Sequence, residues 1–161
     1  MREDLFSLFH LKCAQILLNH DDFDHRKRLM NLSYALSSIL DYDVIPIINE
    51  NDAVAVEEIV FGDNDSLSAI VAKLIKADAL LILTDIDGLY DKDPHKDEDA
   101  RIIPVVEEIT EHLFEIAGGK GSKFGTGGMI TKLQAAQIAT EVGIPTIVMN
   151  GGDSDNIYRV L

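Results

Sequence analysis

The sequence predicts an α/β fold with a largely parallel sheet. Three observations lead there: short continuous apolar runs, stretches of helical periodicity between them, and polar residues closing each run. The runs are Val44-Ile45-Pro46-Ile47-Ile48, Ala79-Leu80-Leu81-Ile82-Leu83 and Pro145-Thr146-Ile147-Val148-Met149. Each is followed by polar residues, at Asn49, at Thr84-Asp85 and at Asn150-Gly151-Gly152. Ligands of open parallel sheets bind beyond the carboxyl ends of the strands, so these polar groups are expected along one rim.

The elements follow in order. Leu5, Phe6, Phe9, Cys13, Ile16 and Leu17 fall on one helical stripe and predict an amphipathic opening helix. Asn19 to Asp24 interrupts it, and helical spacing resumes from Arg26 to Leu40. Val44 to Ile48 reads as a buried strand ending at Asn49, although Pro46 counts against a central place in a sheet. Asp65 or Ser66 can cap a helix whose apolar face is Leu67, Ile70, Val71, Leu74 and Ile75. Ala79 to Leu83 follows as a parallel strand. Asp91 to Asp99 is a charged loop around Pro94, and Ile102 to Ile109 fits no single element. Leu133 to Val142 reads as a helix stopped by Gly143, and Pro145 to Met149 as a further strand.

Bulk properties exclude several classes. The chain has 161 residues, enough for one domain that buries roughly two-thirds of its unfolded surface. Its 47% hydrophobic content is that of a globular protein. No apolar run approaches the ~20 residues of a membrane span, and Met1-Arg2-Glu3-Asp4 is no secretory leader. One cysteine, Cys13, cannot build a disulfide framework and suits a reducing cytoplasm. The net charge of −14 repels nucleic acid and anionic lipid, so neither nucleic acid nor membrane is expected as a partner. It repels ATP as well, so nucleotide binding needs Mg²⁺, placed lysines and backbone N–H groups.

Two clusters carry chemistry. Six of the 11 glycines lie between Gly118 and Gly128, ahead of Met129-Ile130-Thr131-Lys132. A helix starting after such a loop offers unpaired N–H groups to a phosphate, and Lys132 in its first turn adds a cation. The spacing is neither a P-loop nor a dinucleotide fingerprint, and a flexible loop of no special function accounts for it equally well. The second cluster is Asn49-Glu50-Asn51-Asp52 with Gly62-Asp63-Asn64-Asp65. Turn formation and helix capping are the simpler account of the tetrapeptide, but they leave some of its acids idle. An Asn side chain both donates and accepts, which suits an amino-acid ligand, and the carboxylates could hold lysines or Mg²⁺. The five histidines form no cluster at zinc-ligand spacing, and no nucleophile elbow stands out.

Taken together these strings resemble the amino-acid kinase family, and within it the branch that phosphorylates glutamate. The resemblance spans Asp22-Phe23, Arg26-Lys27-Arg28, Ile45 to Asp52, Phe61 to Ala69, Leu83 to Tyr90, Asp93-Pro94 and Gly125 to Leu133. It implies an αβα sandwich that moves the γ-phosphate of ATP, as its Mg²⁺ complex, onto the side-chain carboxylate of L-glutamate for proline synthesis. Carried onto this chain, Asn49, Asp52 and Asn64 bind glutamate. Thr84, Asp85 and the segment Thr126, Gly127, Gly128, Met129, Ile130, Thr131 and Lys132 bind ATP. Lys132 stabilises charge on the transferring phosphoryl group, while Asp63 and Asp65 orient lysines and metal. Family members are commonly homo-oligomers inhibited by proline, so both are implied, in a cytoplasmic enzyme. The family's opening strand and glycine-rich loop, with a second lysine, have no match here. Residues 1–161 are therefore expected to be a truncated, partial domain with no second domain, weak or inactive alone. Two other readings stay open: a family member acting on another acceptor, and a non-catalytic nucleotide-binding fragment.

Overall fold

A computed structural model describes every residue except 1, 20, 52–62, 93, 95, 119–126 and 161, and for 2–4 and 127 the backbone alone. The chain divides into two compact units, Met1–Leu67 and Ser68–Leu161.

The first unit is organised by a parallel pair. It opens with α1 (Arg2–Leu8) and continues through β1 (Lys12–Leu18), the single turn α2 (Asp21–Asp24), α3 (Arg26–Asp41) and β2 (Val44–Glu50). β1 and β2 pair from Lys12 opposite Val44 to Leu18 opposite Glu50, and the Asn51 N–H extends the ladder to the Leu18 carbonyl at 2.9 Å. Parallel neighbours need a crossover, and α3 supplies it. Leu36 on α3 is fully buried. β2 has one partner among the described residues, so Pro46 is tolerated without a ladder N–H.

The predicted opening helix is corrected here. α1 stops at Leu8, and Cys13, Ile16 and Leu17 belong to β1. Helical spacing alone could not decide the matter, because pairing with β2 gives these backbone groups their partners. The interruption at Asn19–Asp24 is the turn α2. Its Asp22 accepts the Asn19 N–H at 2.9 Å and lies 3.9 Å from the exposed Arg28, a long ion pair of small energetic weight.

α4 (Asn64–Ile75) starts earlier than expected, and its cap is neither Asp65 nor Ser66. Asp63 accepts the Ser66 N–H at 2.7 Å on Oδ1 and the Ser66 hydroxyl at 3.3 Å on Oδ2. That is N-cap geometry, with the third helical N–H satisfied by the capping carboxylate. Asp63→Ala is expected to lower stability by about 1 kcal/mol, whereas Asp63→Asn, an equally good cap, leaves the urea midpoint nearly unchanged. The tightest burial on α4 also differs from the expected face. Ala69 and Ala72 are buried along with Leu67, while Ile70, Val71, Leu74 and Ile75 are half-buried.

Three helices end in one way. Leu11 N–H donates to the Phe6 carbonyl, Ala77 N–H to Ala72 and Ile144 N–H to Ala139, at 3.0, 2.9 and 3.1 Å. In each case the preceding residue sits in the left-handed region: His10 (φ 57°), Lys76 (φ 55°) and Gly143 (φ 82°). These are Schellman closures with an apolar residue after the left-handed one. Only Gly143 suits that conformation without steric cost. Lys76→Gly should therefore raise stability by about 1 kcal/mol, read as an increased urea midpoint.

The second unit contains β3 (Leu80–Thr84), α5 (Glu111–Gly118), α6 (Gly127–Thr140), β4 (Thr146–Asn150) and α7 (Asp155–Val160). β3 and β4 are parallel, from Leu80 opposite Thr146 to Thr84 opposite Asn150. α6 begins earlier than the predicted Leu133 and ends at Thr140, so Lys132 falls in its second turn rather than its first. This helix touches two cores. Ala135 and Ala139 join Ala69, Ala72, Leu80, Ile82 and Ile144, while Met129 and Leu133 join Leu89 and Ala117. At about 100° per residue the two pairs are centred about 120° apart, so α6 needs an apolar surface wider than a single stripe.

The charged loop is closed at its base. Tyr90 bridges antiparallel to Ile102, Ile103 N–H reaches the Leu89 carbonyl at 2.7 Å, and Arg101 N–H reaches Asp91 Oδ1 at 2.7 Å. Lys92 and Asp97 meet at 2.9 Å, and their hydrogen bond raises the lysine pKa and lowers that of the carboxyl, which also accepts the Asp99 N–H. After Ile102 the chain is irregular to Ile109, with Ile103 and Val106 packed on the second core.

Candidate functional site

In the second unit the ends of β3 and β4 are fastened together. The Gly151 N–H continues the ladder to the Thr84 carbonyl at 2.8 Å. Asn150 then works with both ends of its side chain. Its Nδ2 donates to Asp87 Oδ1 at 3.1 Å and, more weakly, to the Asp85 carbonyl at 3.4 Å. Its Oδ1 accepts the Gly152 N–H at 2.8 Å, and its main-chain carbonyl accepts from Asn156 Nδ2 at 3.1 Å. A Cβ at 151 would stand 3.0 Å from Leu83 Cβ, so glycine lets the turn pack against β3 without displacing it. Thr84 donates its hydroxyl to Asp85 Oδ1 at 3.1 Å. The result is a strand-end turn presenting two exposed carboxylates, Asp85 and Asp87.

Two cavities meet at Asp87. One, of about 670 Å³, has mixed walls, with Asn150, Asp153, Asn156 and Arg159 beside Met149 and Val160. The other, of about 370 Å³, is largely apolar, with Leu89, Pro104, Val106, Met129 and Val148 in its lining together with Lys132 and Asp87. Thr146 also lines it, and its hydroxyl has no hydrogen-bond partner among the described residues. A cation, a carboxylate and an apolar wall in one cavity suit a ligand with both charged and flat apolar parts.

The residues expected to bind ATP lie in this unit. Thr84 and Asp85 end β3, and Gly127, Gly128, Met129, Ile130, Thr131 and Lys132 form the start of α6. Gly128 is exposed, and a Cβ on it would meet nothing within 4 Å, so the backbone there is open to approach. Met129 is buried in the second core, which leaves its backbone N–H, not its side chain, for a phosphate. Thr131 donates its hydroxyl to the Gly128 carbonyl at 3.0 Å. Of the residues expected to bind glutamate, Asn49 near the end of β2 and Asn64 in the first turn of α4 belong to the first unit, as do Asp63, the α4 cap, and Asp65, the two expected to orient lysines and metal. Asp52 and Thr126 lie outside the described residues.

Sequence reasoning missed Asp87 and Asn150 as working residues. The available signal was an amide at the end of an apolar strand followed by Gly-Gly; it placed Asn150 on the expected ligand rim but gave it no partner, because Asp87 lies 63 residues upstream. The Pro104–Val106 wall gave no signal, because its irregular backbone has no periodicity.

These features define a mixed α/β protein of parallel strands with polar groups at the strand ends. The chain belongs to the amino acid kinase family, whose sequence profile matches residues 1–150. It is 54% identical over 158 residues to the glutamate 5-kinase of Caldanaerobacter subterraneus subsp. tengcongensis, which covers 98% of this chain and 42% of that protein. It is 50% identical over 159 residues to the glutamate 5-kinase of Clostridium acetobutylicum, covering 99% of this chain and 60% of the relative. The chain thus spans less than two-thirds of either relative's length. Among solved structures, isopentenyl phosphate kinase aligns with a TM-score of 0.64 and 18% identity, over 98% of this chain and 58% of that one. At that identity the likeness establishes the amino acid kinase fold alone.

Proposed function

We propose that the protein carrying this chain is an ATP-dependent glutamate 5-kinase, forming glutamyl 5-phosphate from L-glutamate. The observation that carries this reading is the 54% identity to a glutamate 5-kinase along 98% of the chain. The local chemistry agrees with it. Phosphoryl transfer asks a protein for positioning and charge stabilisation rather than a covalent partner. Lys132, the open start of α6 and the Thr84–Asp85 turn are groups suited to a nucleotide. Asn49, Asp52 and Asn64 bind glutamate in this reading, and Asp63 and Asp65 hold lysines and metal in order. Mg²⁺ prefers oxygen ligands and is commonly held by one or two carboxylates together with substrate phosphates, and the exposed carboxylate of Asp85 at the end of β3 is the one that would hold it. When bound it neutralises phosphate charge. The reading also takes the protein to be cytoplasmic, homo-oligomeric and inhibited by proline; no described helix is long and apolar enough to cross a membrane.

The test is hydroxamate trapping. With MgATP, L-glutamate and hydroxylamine, glutamyl hydroxamate should accumulate. Aspartate and N-acetylglutamate in its place should give little. Equal turnover on either would move the chain to another branch of the family, and no product on any of them would reject the kinase reading.

A further inference from the structure

The side chain of Asn150 joins two chain segments that are far apart in sequence. It reaches Asp87 at 3.1 Å and the Asp85 carbonyl at 3.4 Å, across separations of 63 and 65 residues. Among the described residues, no other side-chain hydrogen bond ties the Asp85–Asp87 turn to β4. The same amide receives the Gly152 N–H on its oxygen at 2.8 Å, which fixes the orientation of its NH₂ group toward the turn. Asp87 is the residue common to the two cavities, so its carboxylate lies between one that Lys132 lines and another that Arg159 lines. Its Oδ1 is taken by Asn150, and its other oxygen makes no hydrogen bond among the described residues.

We infer that Asn150 is a positioning residue for nucleotide binding: it holds Asp87 and the Thr84–Asp85 turn in the arrangement that receives the nucleotide. This role rests on the reading of Thr84, Asp85 and Lys132 as a nucleotide site and adds two residues to it. The chemistry requires an amide at 150. Aspartate has nearly the same shape and keeps an acceptor for the Gly152 N–H. It cannot donate to Asp87, however, and sets two carboxylates within about 3 Å, where like charges repel. Hydrogen bonds to charged groups are the stronger kind, so loss of this one should be read in ligand affinity more than in folding.

The experiment uses the protein carrying this chain and three variants: Asn150→Asp, Asp87→Asn, and the two combined. Binding of MgADP is followed by calorimetry, and initial rates give separate KM values for MgATP and glutamate. Asn150→Asp should weaken MgADP and raise the MgATP KM by about 10-fold or more, with the glutamate KM within about twofold. The combined variant exchanges amide and carboxylate between the two positions. The amide at position 87 then donates to the carboxylate at position 150, and most of the lost affinity should return. A structural defect alone would lower Tm and raise both KM values, and the exchange would not repair it. Parental affinity in Asn150→Asp, or a combined variant no better than Asn150→Asp alone, overturns the inference. A parent that binds MgADP but makes no glutamyl hydroxamate rejects the proposed reaction and leaves this inference to be decided by the affinities. A parent that binds no nucleotide overturns both.

Discussion

Replacing Lys132 by methionine is expected to lower the rate of glutamyl phosphate formation by roughly 10²–10³-fold while the protein stays folded. The residue's position explains why. Lys132 is in the second turn of α6, one turn beyond the exposed glycine start, and lines the cavity that Asp87 also lines. In the proposed reaction an ammonium there would act on charge that develops as the phosphoryl group moves, in a site with largely apolar walls where such charge is poorly screened. Methionine keeps the length and removes the charge. The backbone is held by Met129 and Leu133 on one side and Ala135 on the other, so the helix should survive. Circular dichroism checks the fold and hydroxamate formation checks the rate. A variant with more than about a tenth of parental turnover would remove Lys132 from the transition state. Lysine-to-arginine exchange should restore only part of the rate, since guanidinium is a planar fork and ammonium a compact charge.

Leu36→Ala is expected to be the most destabilising simple truncation in the first unit, at about 2–5 kcal/mol. Leu36 has 0% exposure, the lowest of any large side chain described. It sits on α3, which packs on β2, so the cavity left behind would open under the strand that carries Asn49. Leu36→Met, which keeps most of the volume, should cost less than about 1.5 kcal/mol. Urea unfolding compares the three proteins, and hydrogen exchange of the β2 amides localises the loss. If Leu36→Ala costs no more than Leu36→Met, the site collapses around the smaller residue and the first unit is less rigidly packed than its burial indicates.

Much of the fold was legible because local and tertiary preferences coincide. Leu80 to Thr84 and Thr146 to Asn150 are apolar, partly β-branched and too short for helices, and both are strands. Gly143 announced a helix end that glycine alone accommodates without strain. The errors have equally specific causes. Lys12 to Leu18 contains one β-branched residue, Ile16, and its apolar positions mimic a helical stripe. Its extended form is set by β2, a strand that lies beyond the whole of α3 in sequence. At Asp63-Asn64-Asp65-Ser66 every residue is a competent cap, so local chemistry could not choose among them; the geometry chose Asp63. His10 and Lys76 fill left-handed positions that propensity assigns to glycine, and no local rule predicts that choice. Thr84, Asp85 and Lys132 could be singled out from the sequence, whereas Asp87 could not, because its partner lies 63 residues downstream.

α6 is clasped on two sides, and this decides where the protein can be instrumented. Its buried positions, Met129, Leu133, Ala135 and Ala139, leave no room for an attached dye. Gln134 and Gln137 on the same helix are exposed and belong to neither core. A cysteine introduced at either position could carry an environment-sensitive fluorophore within a turn or so of Lys132. Cys13, the sole native thiol and only partly accessible, would be replaced first. Such a probe would turn the helix that bears the lysine into an optical reporter of nucleotide arrival, readable in real time and without turnover.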